Sequence, residues 1–222
     1  MIFNTLQNRK YVKEYDQNAD ISESLIYDLL LKTWKVTPSK NNFMPYTIHV
    51  VGPTDQKYKD LVYRNAASNE GTNDGLSDPL KIRYSSNLPN YSNILNCSYL
   101  LIFTMRLEDN PNPYQKMLID RGHKYEAVDE NKLDDMYPTA SFEAGLFCDA
   151  FSAMCLENNI DVSYTGCFHR NIDKWKNIPF VKRKPIMLMT IGKAKVYLDD
   201  IKNDTEEKDL RPDFDRIVNF VQ

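Results

Sequence analysis

The sequence predicts an α+β domain in which helices alternate with strands, and three observations predict it. Residues 22–34 carry Leu25, Ile26, Leu29, Leu30 and Trp34 at helical spacing, and they lead through a polar elbow into the strand-like run Tyr46-Thr47-Ile48-His49-Val50-Val51. Residues 98–104 and 185–192 are apolar runs of strand length bounded by polar stretches. Between them, residues 139–157 repeat Phe142, Leu146, Ala150 and Met154 every four positions, and Phe147, Phe151 and Cys155 widen that stripe. A helix patterned in this way is buried on more than one side. With only seven glycines and no GxGxxG or phosphate-loop motif after any strand, a Rossmann or P-loop enzyme is disfavoured.

Taken in order, residues 4–12 suit a short first helix and residues 13–20 are polar and irregular. Ser22 is placed to cap the next helix, with Ile21 and Ile26 as a hydrophobic staple, and that helix ends near Lys35. After the strand at 46–51, Gly52-Pro53-Thr54 turns the chain and caps a helix to about Ala67, with Tyr58, Leu61 and Val62 on one side. Residues 68–90, rich in Asn, Ser, Gly, Asp and Pro, read as a long surface loop. Residues 106–138 are polar, charged and punctuated by Pro111 and Pro113, an excursion of the kind that forms lids or variable insertions. Its Tyr114, Tyr125 and Tyr137 read as scattered surface tyrosines. Gly145 and the alanines around it permit another backbone to approach the 139–157 helix. A short strand follows at 161–164, residues 193–209 form a charged, solvated linker, and Arg211-Pro212 opens a last helix.

Length and composition exclude several classes. The 222 residues suit a single domain, 1–222, and 42% hydrophobic residues are enough for a core. A net charge of −3, with Lys182-Arg183-Lys184 as the one tight basic cluster, argues against nucleic-acid binding. Cys97, Cys148, Cys155 and Cys167 lack CxxC spacing and the histidines are far apart, so no metal site is expected. Cys148 and Cys155 read as buried thiols on one helix. No apolar run reaches the roughly 20 residues that span a bilayer, and none at the start suits a signal peptide. A cytoplasmic protein without a membrane partner is expected.

The elbow Pro38-Ser39-Lys40-Asn41-Asn42-Phe43-Met44-Pro45-Tyr46 resembles the Pro-Ser-Ser-x-Asn-x-Gln-Pro-Trp segment of the FMN-dependent nitroreductase family. Arg9-Lys10-Tyr11-Val12-Lys13, followed by Tyr15, is similar to that family's opening Arg-x-Ser-x-Arg/Lys and aromatic. The segment from Ile160 to Phe168, with Tyr164-Thr165-Gly166 at its centre, resembles the strand and small-residue turn that pass the flavin ring. Ile191-Gly192 followed by Leu210-Arg211-Pro212 resembles the last strand and phosphate-binding tail.

The resemblance implies a homodimer with a mixed central sheet flanked by helices, the 139–157 helix at the dimer interface, and FMN in clefts shared by both subunits. It implies hydride transfer from NADH or NADPH to a small-molecule electron acceptor such as a nitroaromatic or quinone, in a ping-pong scheme. No side chain is assigned a catalytic role, because the flavin carries the chemistry. Cofactor binding falls to Arg9, Lys10, Tyr11, Lys13, Ser39, Asn42, Tyr164, Thr165, Gly166 and Arg211. Arg9 and Arg211 suit the phosphate, since a guanidinium bonds two of its oxygens at once. Lys13 suits the ribityl chain or the pyrimidine edge, where a fixed cation favours negative charge. Asn42 both donates and accepts, which suits the polar edge of the ring, and Ser39 suits phosphate or ring from the partner subunit. Around Gly166, small residues let backbone N–H groups come close to the ring.

Three positions depart from the family pattern. Tyr11 stands where the family has serine, Met44 where it has glutamine and Tyr46 where it has tryptophan. The first two remove or re-aim hydrogen bonds, which leaves open a flavin-storing or regulatory protein without turnover. A branch reaction such as dehalogenation or flavin fragmentation is the rival within enzymes.

Overall fold

The computed structural model describes residues 9–66, 93–106, 113–123, 133–166, 168–197 and 218. Its centre is β3 (Tyr99–Met105), whose seven residues are all buried because the sheet is covered on both faces. Alternation splits the strand between two cores. Tyr99, Leu101, Phe103 and Met105 face one, and Leu100 and Ile102 face the other. β2 (Tyr46–Val51) and β5 (Pro185–Gly192) flank β3, and β4 (Asp161–Thr165) extends the sheet beyond β5, giving the order β2-β3-β5-β4. Pairing runs from Tyr46↔Met105 to Val51↔Leu100 on one side and from Tyr99↔Ile191 onward on the other.

The first core lies under α1 (Glu23–Val36) and α5 (Leu133–Glu157), which pack against each other. As expected, the Ser22 hydroxyl caps α1 by accepting from the Leu25 N–H at 3.3 Å, and Ile21 and Ile26 are both buried beside it. The second core lies under α2 (Gln56–Asn65), the short α3 (Asn93–Asn96) and the 3₁₀ turn Ile172–Trp175. Val62 is its buried α2 contact, with Tyr58 and Leu61 packed alongside. Cys97, Cys148 and Cys155 are buried free thiols. Desolvation lifts all three thiols well above their ordinary range.

Several elements differ from the sequence-based expectation, each for a physical reason. Residues 9–11 are not helical, and Val12–Tyr15 is a strand, β1, paired antiparallel with β6 (Ala194–Tyr197) inside the expected charged linker. Residues 1–8 lie outside the described part, as do the expected loop at 68–90 and Arg211-Pro212. The pairing is held by long-range contacts. The fully buried Tyr15 hydroxyl donates to the Thr190 carbonyl at 2.9 Å, and Lys195 meets Glu14 across the strands at 2.8 Å. Gly192 makes room for this packing, since a Cβ there would lie 2.6 Å from the Tyr15 ring. The mixed sheet is also corrected, because every pairing among the described strands is antiparallel. Alternation of helices and strands along the sequence does not by itself dictate parallel neighbours.

Parts of the 106–138 stretch are helical. Pro113–Asp120 is a helix, α4, and α5 starts at Leu133 and carries Pro138 inside it. Tyr137 is not a loose surface tyrosine, since its hydroxyl donates to the Pro185 carbonyl at 3.1 Å and accepts from Arg170 at 2.6 Å. Finally, the cores choose one of two adjacent rows. Ala140, Ala144, Phe147, Phe151 and Cys155 of α5 are buried, whereas Phe142 is 67% exposed, and on α1 Thr33 is buried while Trp34 is 54% exposed. Among the described residues no other backbone approaches Gly145, where a Cβ would meet nothing within 4 Å.

Candidate functional site

The elbow sits at the end of the sheet where β2 starts, β3 ends and β5 starts. Two ionic side chains hold it there. Glu143, only 4% exposed, reaches from α5, accepting the Ser39 hydroxyl on one oxygen at 2.6 Å and the Lys40 N–H on the other at 3.2 Å. The Ser39 oxygen in turn accepts the Met44 N–H at 2.8 Å, which closes the elbow on itself. From the end of β3, Arg106 donates its Nε to the Met44 carbonyl at 2.8 Å, and its Nη2 to the Phe43 carbonyl. Its backbone N–H takes the Pro45 carbonyl at 3.0 Å, and its guanidinium covers the Phe43 ring at 5.6 Å. Burial draws Arg106 below the usual arginine range.

Within this grip, the backbone at Asn42 and Met44 has φ of 54° and 44°, the left-handed region that asparagine tolerates and methionine rarely adopts. The Asn42 side chain is exposed and Ser39 is half-buried. Tyr46, in the position of the family tryptophan, packs 5.9 Å from both Phe103 and Phe147. Its hydroxyl is buried with no hydrogen-bond partner among the described residues, and desolvation, reinforced by the Glu143 charge, pushes its pKa far up.

A second group forms along β4. The exposed Arg9 guanidinium lies over the Tyr164 ring, 5.4 Å from its centroid. Lys10 is exposed over the Tyr197 ring at 5.0 Å, and the half-buried Lys13 lies over the half-buried Tyr11 ring at 5.1 Å. Tyr164 donates to the Cys148 carbonyl of α5 at 3.0 Å and touches the Ser152 hydroxyl. Burial pushes its phenol up to about 12. Thr165 is half-buried and Gly166 exposed, and a Cβ at Gly166 would meet nothing within 4 Å. Asn93 bridges the two strands of this group, its amide 3.3 Å from the Val12 carbonyl and 3.5 Å from the Ser163 hydroxyl.

Of the residues expected from the sequence, Arg9 and Tyr164 meet, while Lys10, Tyr11 and Lys13 cluster on the segment around them. Ser39 and Asn42 belong to the elbow, which no hydrogen bond or ring contact among the described residues joins to Arg9. Arg211 lies outside the described residues. Both groups are nonetheless fixed to α5, the elbow through Glu143 and Tyr164 through Cys148 and Ser152. Glu143 and Arg106 were not among the expected residues. Glu143 did leave a trace, as the lone carboxylate in Ala140-Ser141-Phe142-Glu143-Ala144-Gly145-Leu146-Phe147.

The donor set fits a phosphorylated, flat, polar-edged cofactor such as FMN. Arg9 offers a planar fork, and among the described residues no carboxylate neutralises it. The backbone beside Gly166 is open to a ring, and the exposed Asn42 amide both donates and accepts. Among the described residues no group of His, Cys, Asp or Glu is arranged to hold a metal ion, and no helix is long and apolar enough to cross a membrane.

No protein-family model and no curated protein sequence matches this chain. Solved structures do. A Staphylococcus epidermidis protein provisionally named an NAD(P)H:FMN oxidoreductase is 18% identical, with a TM-score of 0.66 over 100% of this chain and 96% of its own. A nitroreductase-like protein from Streptococcus mutans is 17% identical, with a TM-score of 0.63 over 99% of this chain and 98% of its own. A provisionally named nitroreductase from Exiguobacterium sibiricum, crystallised with FMN, is 15% identical, with a TM-score of 0.63 over 100% and 97%. Across its length, this chain therefore has the α+β fold of nitroreductase-like flavin oxidoreductases, a central sheet flanked by helices.

Proposed function

We propose that the protein is an FMN-dependent oxidoreductase that passes hydride from NADH or NADPH to an electrophilic acceptor such as a nitroaromatic or quinone. The observation that carries this reading is the meeting of Arg9 with Tyr164, which joins a phosphate-binding side chain to the strand leading into Gly166. When bound, FMN supplies a ring that takes up and releases hydride. Arg9 and Arg211 would hold its phosphate, Lys13 would favour charge on its polar edge, and Asn42 would orient that edge, whereas the Ser39 hydroxyl, already donating to Glu143 and accepting from Met44, serves the shape of the elbow. Glu143 and Arg106 keep the elbow rigid while donor and acceptor enter one cleft in turn, which is the basis of a ping-pong scheme.

The working unit in this proposal is a homodimer. Tyr27 (68% exposed) and Trp34 stand two turns apart on α1, and Phe142 stands exposed on the adjoining α5. These apolar side chains, with the open surface at Gly145, suit an obligate interface of above about 2,000 Å². Light scattering that finds a flavin-loaded monomer at micromolar concentration would remove the dimer from the proposal.

A flavin store without turnover is the second reading. It is favoured by Met44, whose N–H and carbonyl are both engaged and whose side chain has no amide to offer a ring. Anaerobic mixing with NADH and NADPH separates the two readings. The enzyme bleaches within seconds to minutes, a quinone or nitroaromatic restores its colour, and steady-state plots at several acceptor concentrations are parallel. Bleaching by dithionite alone would favour the store.

A further inference from the structure

Tyr164 is held at one end and offers its face at the other. Its hydroxyl donates to the Cys148 carbonyl at 3.0 Å and touches the Ser152 hydroxyl, which donates to the same carbonyl at 2.8 Å. Both partners belong to α5, so the ring cannot swing without breaking its hydrogen bond to that helix. On that fixed ring lies the guanidinium of Arg9, an exposed side chain in residues 9–11, which carry no helix or strand.

A long exposed arginine loses rotamer freedom when it grips an anion, and that loss opposes binding. A carboxylate partner would hold it still but would also cancel its charge. An aromatic face restrains the planar fork and leaves the charge whole. We propose that Tyr164 is a positioning residue for phosphate recognition, holding Arg9 ready so that the protein selects FMN over riboflavin, which lacks the phosphate. This rests on the flavin reading above and adds a determinant of selectivity to it. A tyrosine that merely packed against the flavin ring would strengthen both ligands alike.

Titrating the full chain with FMN and with riboflavin, followed by quenching of flavin fluorescence, tests the proposal. Tyr164→Leu is expected to weaken FMN about threefold to tenfold and riboflavin by less than about twofold. Tyr164→Phe, which keeps the ring face, is expected to stay within about threefold of wild type for FMN. Adding Tyr164→Leu to Arg9→Ala is expected to cause no further loss of FMN affinity. Far-ultraviolet circular dichroism checks folding, and Tyr164→Met, closer in volume to tyrosine, carries the same comparison if the leucine variant does not fold. Equal losses of FMN and riboflavin, or a phenylalanine variant as weak as the leucine one, would overturn the role of Tyr164 and leave the flavin reading standing. Wild-type protein that binds neither ligand would overturn the flavin reading, and this inference with it.

Discussion

The elbow and the Arg9 segment are two halves of one candidate site, built on opposite principles. The elbow is clamped by a buried carboxylate and a half-buried guanidinium that together satisfy its backbone and hydroxyl groups, at distances from 2.6 to 3.2 Å where both oxygens of Glu143 are used. The Arg9 segment ends in an exposed cation resting on a ring 5.4 Å away. Where charge is spent inside the protein, the backbone can be held even at the left-handed φ of Met44. Where a guanidinium rests on an aromatic face and no carboxylate among the described residues meets it, its charge is kept whole.

The comparison can be broken most severely at Glu143. Glu143→Ala leaves the Ser39 hydroxyl and the Lys40 N–H without their acceptor, and about 3 kcal/mol of stability is expected to go, measured by urea unfolding. Wild-type stability in that variant would mean that water replaces the carboxylate and that the elbow is not clamped. At Arg9 the expectation is reversed. Arg9→Ala should leave the urea midpoint nearly unchanged while weakening FMN by about 1.5 to 3 kcal/mol, and equilibrium dialysis that finds equal affinity would put the phosphate elsewhere.

Gly192→Ala probes the support beneath the Arg9 half. Its new Cβ would sit 2.6 Å from a Tyr15 ring that cannot move aside, so a loss of about 1 to 3 kcal/mol is expected. A melting temperature equal to wild type would show that β1 shifts freely. The smallest effect concerns alkaline pH. The Tyr164 phenol ionises near 10.0 in the unfolded chain and is pushed to about 12 in the fold, chiefly by burial. Its contribution to stability is therefore complete below pH 10 and fades as pH rises through 12. Tyr164→Phe is expected to flatten the fall in stability across that window, and parallel pH profiles for the two proteins would contradict it.

How much could be read in advance follows from the range of the interactions. The α1 cap at Ser22, and β2, β3 and β5, were legible because caps and apolar runs act within a few residues. β1 and β6 were not, since Tyr15 gains its burial and its bond to Thr190 only from residues far along the chain. Periodicity located α5 but chose Phe142 for the core, because two neighbouring apolar rows look alike until the sheet selects one. In the candidate site, the resemblance singled out Arg9 and Tyr164, which the fold brings together, and Ser39, which it places in the elbow. Glu143 and Arg106 were missed because their partners are backbone and hydroxyl groups of the elbow, which carry no pattern of their own.

The pairing of Val12 with Tyr197 has a consequence for the order of assembly. Among the described strands β1 pairs with β6 alone, so it closes a long loop in the sequence. The elbow needs only α5 and β3, both of which precede β4 in the sequence. A growing polypeptide can thus complete the clamp early, while the Arg9 segment waits for β6 to be synthesised. During translation, the pairing that anchors the Arg9 segment is expected to arrive last, and a nascent chain stalled before β6 should present the clamped elbow with β1 still unpaired.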